Sequence, residues 1–259
     1  MFEKLGLQLY TVRDLLLDPD YADLTFRRLR ELGYTEVQLA GNYVEPKLLG
    51  ELLKKNDIRI VGTHYPLAKI LENPEETIAT HRMWGTTNIG IGAIPREARE
   101  SLEALRKFIK DYNEAAKLYA KEDFKLTYHN HNFEFERIDG YKTLMDIFYE
   151  EFDPENITFV LDTCWVAAGG GDVCAWMRKL QGRLDILHLK DYTVKTASSL
   201  RPDILLCEVG NGNLDWDSIM ACAEEIGVKH YCVEQDMNFD GSPLNSLGMS
   251  AKFLQKYQK

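Results

Sequence analysis

Ile157-Thr158-Phe159-Val160-Leu161-Asp162 is a short, largely apolar run that closes on a carboxylate. Two later stretches have the same form: Leu184-Asp185-Ile186-Leu187-His188 and His230-Tyr231-Cys232-Val233-Glu234. Each reads as a strand ended by a polar side chain just where the chain leaves the sheet. Counting back by twos from that end puts Val160 and Thr158, Ile186 and Leu184, and Cys232 and His230 on one face. Phe159 and Leu161, Leu187, and Tyr231 and Val233 fall on the other. Both faces are apolar, as a parallel strand covered on both sides requires.

Working outward, similar runs occupy residues 5–10, 35–40, 58–64, 87–92 and 124–130, and the three late strands extend over 157–162, 184–190 and 229–234. Helical patterns lie between most of them, at 21–32, 46–55, 97–120, 141–151, 173–180, 216–226 and 244–257. The clearest is 97–120, where Leu102, Leu105, Ile109, Tyr112, Ala116 and Tyr119 recur every three to four residues. Gly33 and Gly227 stand as helix stops. Eight βα units without a linker predict an α/β fold, a single-domain (β/α)8 TIM barrel over residues 1–259. An open doubly wound sheet fits less well, because no strand leads into a GxGxxG turn. In such a barrel the active site lies at the C-terminal strand ends. Residues 64–74 and 192–214 are long for plain loops and are expected to fold over that end as lids.

Of the 259 residues, 45% are hydrophobic and 28% charged, ordinary for a globular protein. The net charge of −10 argues against a nucleic-acid partner, which wants a basic face. Five cysteines without CxxC spacing read as reduced thiols. With no signal-peptide pattern and no apolar run of ~20 residues, a cytoplasmic protein with no membrane partner is expected.

Asp162, His188 and Glu234 occupy the same relative position on three successive strands. Any one of them alone reads as a loop cap; three together offer the oxygen and nitrogen donors that suit a divalent cation. The fifth strand ends Tyr128-His129-Asn130-His131, with Glu134 slightly further on. Histidines at i and i+2 of a strand share a side, so both could face the mouth. Spacing does not decide which of His129, His131 and Glu134 completes the coordination. Gln8 and Tyr10, Gln38 and His64 close earlier strands and suit a substrate-lining role. His81, in a helical stretch, reads as a surface residue and His230 as structural. The turn Glu208-Val209-Gly210-Asn211-Gly212-Asn213 presents backbone amides that could meet an anion, and Gly169-Gly170-Gly171 lets the sixth loop bend close to the site.

The runs Gly6-Leu7-Gln8-Leu9-Tyr10, Tyr128-His129-Asn130-His131-Asn132-Phe133-Glu134-Phe135, Leu161-Asp162-Thr163, His188-Leu189-Lys190-Asp191, Glu208-Val209-Gly210-Asn211-Gly212 and Val233-Glu234-Gln235-Asp236 extend from the first strand to the last. On these the chain resembles the sugar phosphate isomerase/epimerase superfamily, the xylose isomerase-like TIM barrels. The resemblance implies a divalent cation, often Mn2+ (with Zn2+, Mg2+ or Co2+ as alternatives), held by Glu, Asp, His and Glu from four strand ends. Asp162, His188 and Glu234 match the last three; His131 is taken as the fourth ligand. The first Glu is missing, and Trp165 stands where many relatives carry His. The resemblance further implies isomerisation or epimerisation of a sugar, sugar phosphate or polyol through an enediolate. Glu234 would be one acid/base, and His131 or His129 the other. Lys190 and Gln38 would orient hydroxyls, Trp165 and Tyr10 would pack on a ring face, and His64 and Glu134 would line the substrate. The alternative is a lyase or dehydratase acting on an inosose or 3-keto-glycoside at the same site. A carbohydrate is the expected small-molecule partner, and a homo-oligomer is left open.

Overall fold

Eight strands pair in parallel and close on themselves in the computed structural model, which describes residues 2–41, 43–195 and 203–259. They are β1 (Leu5–Gln8), β2 (Tyr34–Leu39), β3 (Arg59–His64), β4 (Asn88–Ile91), β5 (Lys125–His129), β6 (Ile157–Asp162), β7 (Leu184–Leu189) and β8 (His230–Val233). Each pairs with its neighbours in sequence, and β1 meets β8 with Leu5 opposite Tyr231 and Leu7 opposite Val233. The predicted (β/α)8 barrel is the observed one.

The outer ring is α1 (Pro19–Glu31), α2 (Pro46–Lys55), α3 (Pro74–Trp84), α4 (Leu102–Ala120), α5 (Leu144–Glu151), α6 (Val173–Lys179), α7 (Trp216–Ile226) and α8 (Pro243–Leu254). Side-chain caps set several starts. The Ser101 hydroxyl accepts from Ala104 N, so α4 begins at Leu102 and not at 97 as its periodicity suggested. Thr143 and Asp146 cap one another's backbone at the start of α5. The helical stretch expected around His81 is α3, whereas the short helices Leu67–Glu72 and Thr163–Ala168 were not foreseen. No helix among the described residues is long and apolar enough to cross a membrane.

The two apolar faces of the strands build two cores. Outward residues pack under the helices, where Phe148 and Phe152 stack 4.6 Å apart and Tyr128 lies 4.5 Å from Phe148. Val61, Val160, Ile186 and Cys232 form a separate cluster inside the barrel. That interior is tight: a Cβ on Gly62 would lie 2.9 Å from Ile186 Cδ1. Leu184, expected inside, belongs to the outer core. The register slips between Phe159 and Val160, so Leu184 pairs with outward-facing Phe159 while Ile186 pairs with Val160.

His81 is buried, not on the surface. Its Nδ1 donates to the Thr77 carbonyl at 2.7 Å, and its Nε2 accepts from the Thr63 hydroxyl at 2.8 Å. It packs edge-on against Tyr65 and Trp84. His230 lies at the opposite end of the barrel from the strand tips, on Glu36 at 2.8 Å, as a structural residue.

Beyond β7 the chain forms an antiparallel hairpin, Asp191–Lys195 with Asp203–Cys207. The expected lid over 192–214 includes residues 196–202, which lie outside the described residues. The glycine turn that follows does meet an anion, but an internal one. Gly210 N and Gly212 N donate to Asp191 Oδ2 at 3.0 and 3.2 Å, and Trp216 Nε1 donates to the same oxygen at 2.6 Å. A Cβ on Gly212 would lie 2.1 Å from Asp191 Oδ1, so only glycine lets the backbone come this close.

Asp191→Ala would strand these donors, the Trp216 indole among them buried, and should lower unfolding free energy by about 1–3 kcal/mol in urea titrations, with Asp191→Asn losing less. Burial pushes His81 down to about 4, whereas the unfolded chain takes up that proton near 6.5. Stability is therefore full above about pH 6.5 and falls as the pH drops toward 4, by about 3 kcal/mol. Denaturation curves of His81→Gln over that range should be correspondingly flatter.

Candidate active site

Four strand ends bring four polar side chains to one level. Asp162 ends β6 directly opposite His188 of β7. His129 ends β5 beside Val160. Glu234 follows the last residue of β8, and its N–H donates to the Leu189 carbonyl at 3.1 Å. One donor atom from each of His129, Asp162, His188 and Glu234 lies within 4.8 Å of those of the other three, and all four residues are buried. Among the described residues this is the one such cluster. His188 Nδ1 stands 2.8 Å from Glu234 Oε2 and 3.9 Å from Asp162 Oδ2, and His129 Nε2 stands 3.6 Å from Asp162 Oδ2.

The protons on these rings can be placed from the hydrogen bonds. Tyr10 N–H donates to Gln8 Oε1, which fixes that amide with its Nε2 toward Gln38 Oε1 at 2.9 Å. Gln38 Oε1 is thus an acceptor, and His188 Nε2, 2.5 Å away, must donate to it. His129 Nδ1 likewise donates to the Gly92 carbonyl at 2.9 Å. The inward nitrogens, His188 Nδ1 and His129 Nε2, are left as lone pairs. Both nitrogens are buried without a hydrogen-bond partner, and the inward oxygens Asp162 Oδ2 and Glu234 Oε2 have the Lys190 ammonium at 3.3 and 3.1 Å. Two lone pairs facing two carboxylates repel unless a cation stands among them. Imidazoles whose far N–H is anchored on a carbonyl or amide oxygen are arranged as metal ligands are, so the residues present fit a divalent ion.

The electrostatics carry the same demand. Burial opposes ionisation of Asp162 and Glu234, yet the adjacent Lys190 ammonium holds both carboxyls below their ordinary range. Burial pulls His129 down, but Asp162 and Glu234 outweigh it and leave the ring raised. His188 is held down by burial.

Around the four lies a partly aromatic wall. The His131 ring stacks on Phe133 at 5.4 Å and tilts against Trp165 at 5.9 Å. Lys190 Nζ lies 4.9 Å from the Trp165 ring. His131 Nδ1, Trp165 Nε1 and His64 Nε2 are buried without partners. His64 also lines an open cavity of about 530 Å³ with Tyr43, Tyr65, Lys69 and Gly92.

The structure revises several expectations. His129, not His131, joins the four. β5 ends at His129, so the strand's alternation does not carry on to His131, whose ring turns onto Phe133 and Trp165. Glu134 leaves the mouth: its carboxylate takes the Tyr128 hydroxyl at 2.5 Å and the His131 N–H at 2.7 Å, beneath the loop. Gln8 and Gln38, expected to hold substrate, are fully buried and committed to orienting His188. Tyr10 sits on a helical turn at the rim, 39% exposed, with Arg13 stacked 4.1 Å from its ring. Trp165, Lys190 and His64 do flank the four. Gly169 and Gly171 pack against Phe135.

The family model for the xylose isomerase-like TIM barrel matches residues 26–257. The chain belongs to that family. No curated protein matches it. A sugar phosphate isomerase/epimerase from Parabacteroides distasonis is similar in structure, with TM-score 0.81 and 22% identity over 100% of this chain and 96% of that one. A D-allulose 3-epimerase from Methylomonas sp., in complex with D-allulose, has TM-score 0.68 and 14% identity over 100% and 98%. The probable 3-DHS dehydratase AsbF from Bacillus anthracis has TM-score 0.73 and 15% identity over 97% and 98%. At these identities the likenesses establish the fold.

Within this xylose isomerase-like barrel, sequence reasoning missed three contributors. The Gly92 carbonyl holds His129, and Asn130 Oδ1 accepts from Asp162 N at 3.0 Å. Asp236 holds Lys190 at 3.0 Å; its place two residues past Glu234 was the available signal. Gln38→Met removes the acceptor that biases His188. Nitrogen-15 NMR should find His188 protonated at Nε2 in the wild type and as mixed tautomers in the variant.

Proposed function

We propose that this chain is a divalent-metal-dependent isomerase or epimerase acting on a sugar, sugar phosphate or related polyol, through an enediolate. The observation that carries the reading is the set of four inward donor atoms on His129, Asp162, His188 and Glu234, all within 4.8 Å of one another. These four residues would hold the ion. Mn2+ is the leading candidate, and Zn2+, Mg2+ and Co2+ suit the same donors. When bound, such an ion supplies Lewis-acid stabilisation to a substrate carbonyl and its neighbouring hydroxyl.

The rest falls to the protein. Glu234 turns Oε2 to the cluster and would use its other oxygen to take the proton from the carbon beside the carbonyl. His131, with an unpartnered Nδ1 on the wall, is the second proton-transfer candidate, and His129 is assigned to the ion. Lys190 would meet a hydroxyl, and Trp165 would cover an apolar ring face. The partner would be a carbohydrate, as D-allulose is for the Methylomonas epimerase.

One observation favours a second reading. The fourth corner is an imidazole, so a pair of carboxylates straddling the substrate is lacking. Proton removal by Glu234 followed by loss of a neighbouring hydroxyl or alkoxide needs no such pair, which makes a lyase the alternative; AsbF is a probable dehydratase on this fold.

Purified protein would be assayed for bound metal, then incubated with ketose, sugar-phosphate and inosose panels in Mn2+ or with EDTA. The expected result is metal-dependent conversion at unchanged product mass. Glu234→Gln should lower turnover by roughly 10²–10⁴-fold with its circular dichroism unchanged. Loss of water or an alcohol selects the lyase. Bound metal without turnover on any panel member would reject both enzymes in favour of a sugar-binding protein.

A further inference from the structure

Lys190 is 2% exposed in its side chain, and its Nζ lies 3.3 Å from Asp162 Oδ2, 3.1 Å from Glu234 Oε2 and 3.0 Å from Asp236 Oδ2. The first two oxygens are the ones that face the imidazole lone pairs. An ammonium and a divalent cation are therefore drawn to the same two atoms. Formally, three carboxylates against one ammonium leave two negative charges, which one divalent ion neutralises. Without the ammonium, Asp162 and Glu234 would stand buried and uncompensated, a costly state.

We propose that Lys190 is a built-in competitor for the cation. It neutralises Asp162 and Glu234 until a divalent ion arrives, then yields both and keeps Asp236. This rests on the metal-centre reading above. The retreat has a destination: Asp236 Oδ1 is buried and unpartnered, and the Trp165 ring lies 4.9 Å from Nζ, within cation–π reach. Lysine suits the task because its charge is compact and rides on a flexible stem. Two cations a few ångströms apart repel, so Lys190 holds the affinity for the ion down and keeps it exchangeable. The same retreat turns the ammonium away from the ligand set and toward the wall where a substrate would lie.

Calorimetric Mn2+ titration of wild type and Lys190→Met tests the competition, with thermal melts before and after loading. Lys190→Met should bind Mn2+ roughly 100-fold more tightly. It should melt lower than wild type without the ion and gain more from it. Equal or weaker binding by the variant overturns the competition and leaves the metal centre standing. Absence of binding by both proteins overturns the metal reading and this one together. Should the variant fail to fold, wild-type crystals grown with and without Mn2+ decide. Nζ is expected to lie beyond hydrogen-bond reach of Asp162 and Glu234 in the loaded form, and its persistence on both overturns the proposal.

Discussion

Two carboxylates buried at the mouth of an apolar cylinder need positive charge, and the surroundings of Asp162 and Glu234 are organised by that need. Little water reaches them to supply it, since both are buried. Lys190 supplies part. His188, held down by burial, supplies none while its far nitrogen keeps the proton, because Gln38 accepts it on the side away from the carboxylates. A chain of bonds beginning at one backbone amide, Tyr10 N, runs through Gln8 and Gln38 to set the tautomer of His188. The deficit that remains is what makes the centre a candidate for a divalent ion.

The barrel supports this by being packed and level. An interior cluster of Val61, Val160, Ile186 and Cys232 fills the space below the strand tips. Parallel registry then places Asp162 and His188 side by side at the rim. Beyond the rim, Asp191 gathers the backbone amides of the glycine turn and the Trp216 indole. Those donors are spent inside the protein. The side chains left around the four include His131, Trp165, His64 and Lys190.

Membership of the xylose isomerase-like family goes with the barrel. The departure within this chain is chemical. An imidazole, His129, takes the corner where the resemblance led to a carboxylate. That substitution removes one negative charge and one general base from the centre, which bears on whether a reaction here ends in a moved proton or a lost leaving group.

The sequence by itself determined the architecture and three of the four inward donors. Strand parity repeats every two residues and helix periodicity every three to four, so eight βα units and the polar tips Asp162, His188 and Glu234 are local patterns. The tertiary structure decided what depends on distant pairs. A register slip beside Phe159 moved Leu184 outward, which no single strand reveals. The end of β5 at His129 separated it from His131, because alternation ceases where the strand does. The roles of Gln8, Gln38, Gly92 and Asp236 exist only across strands far apart in sequence. Hydrogen-bond direction and buried charge are properties of neighbours in space, and closure of the barrel is what makes these residues neighbours.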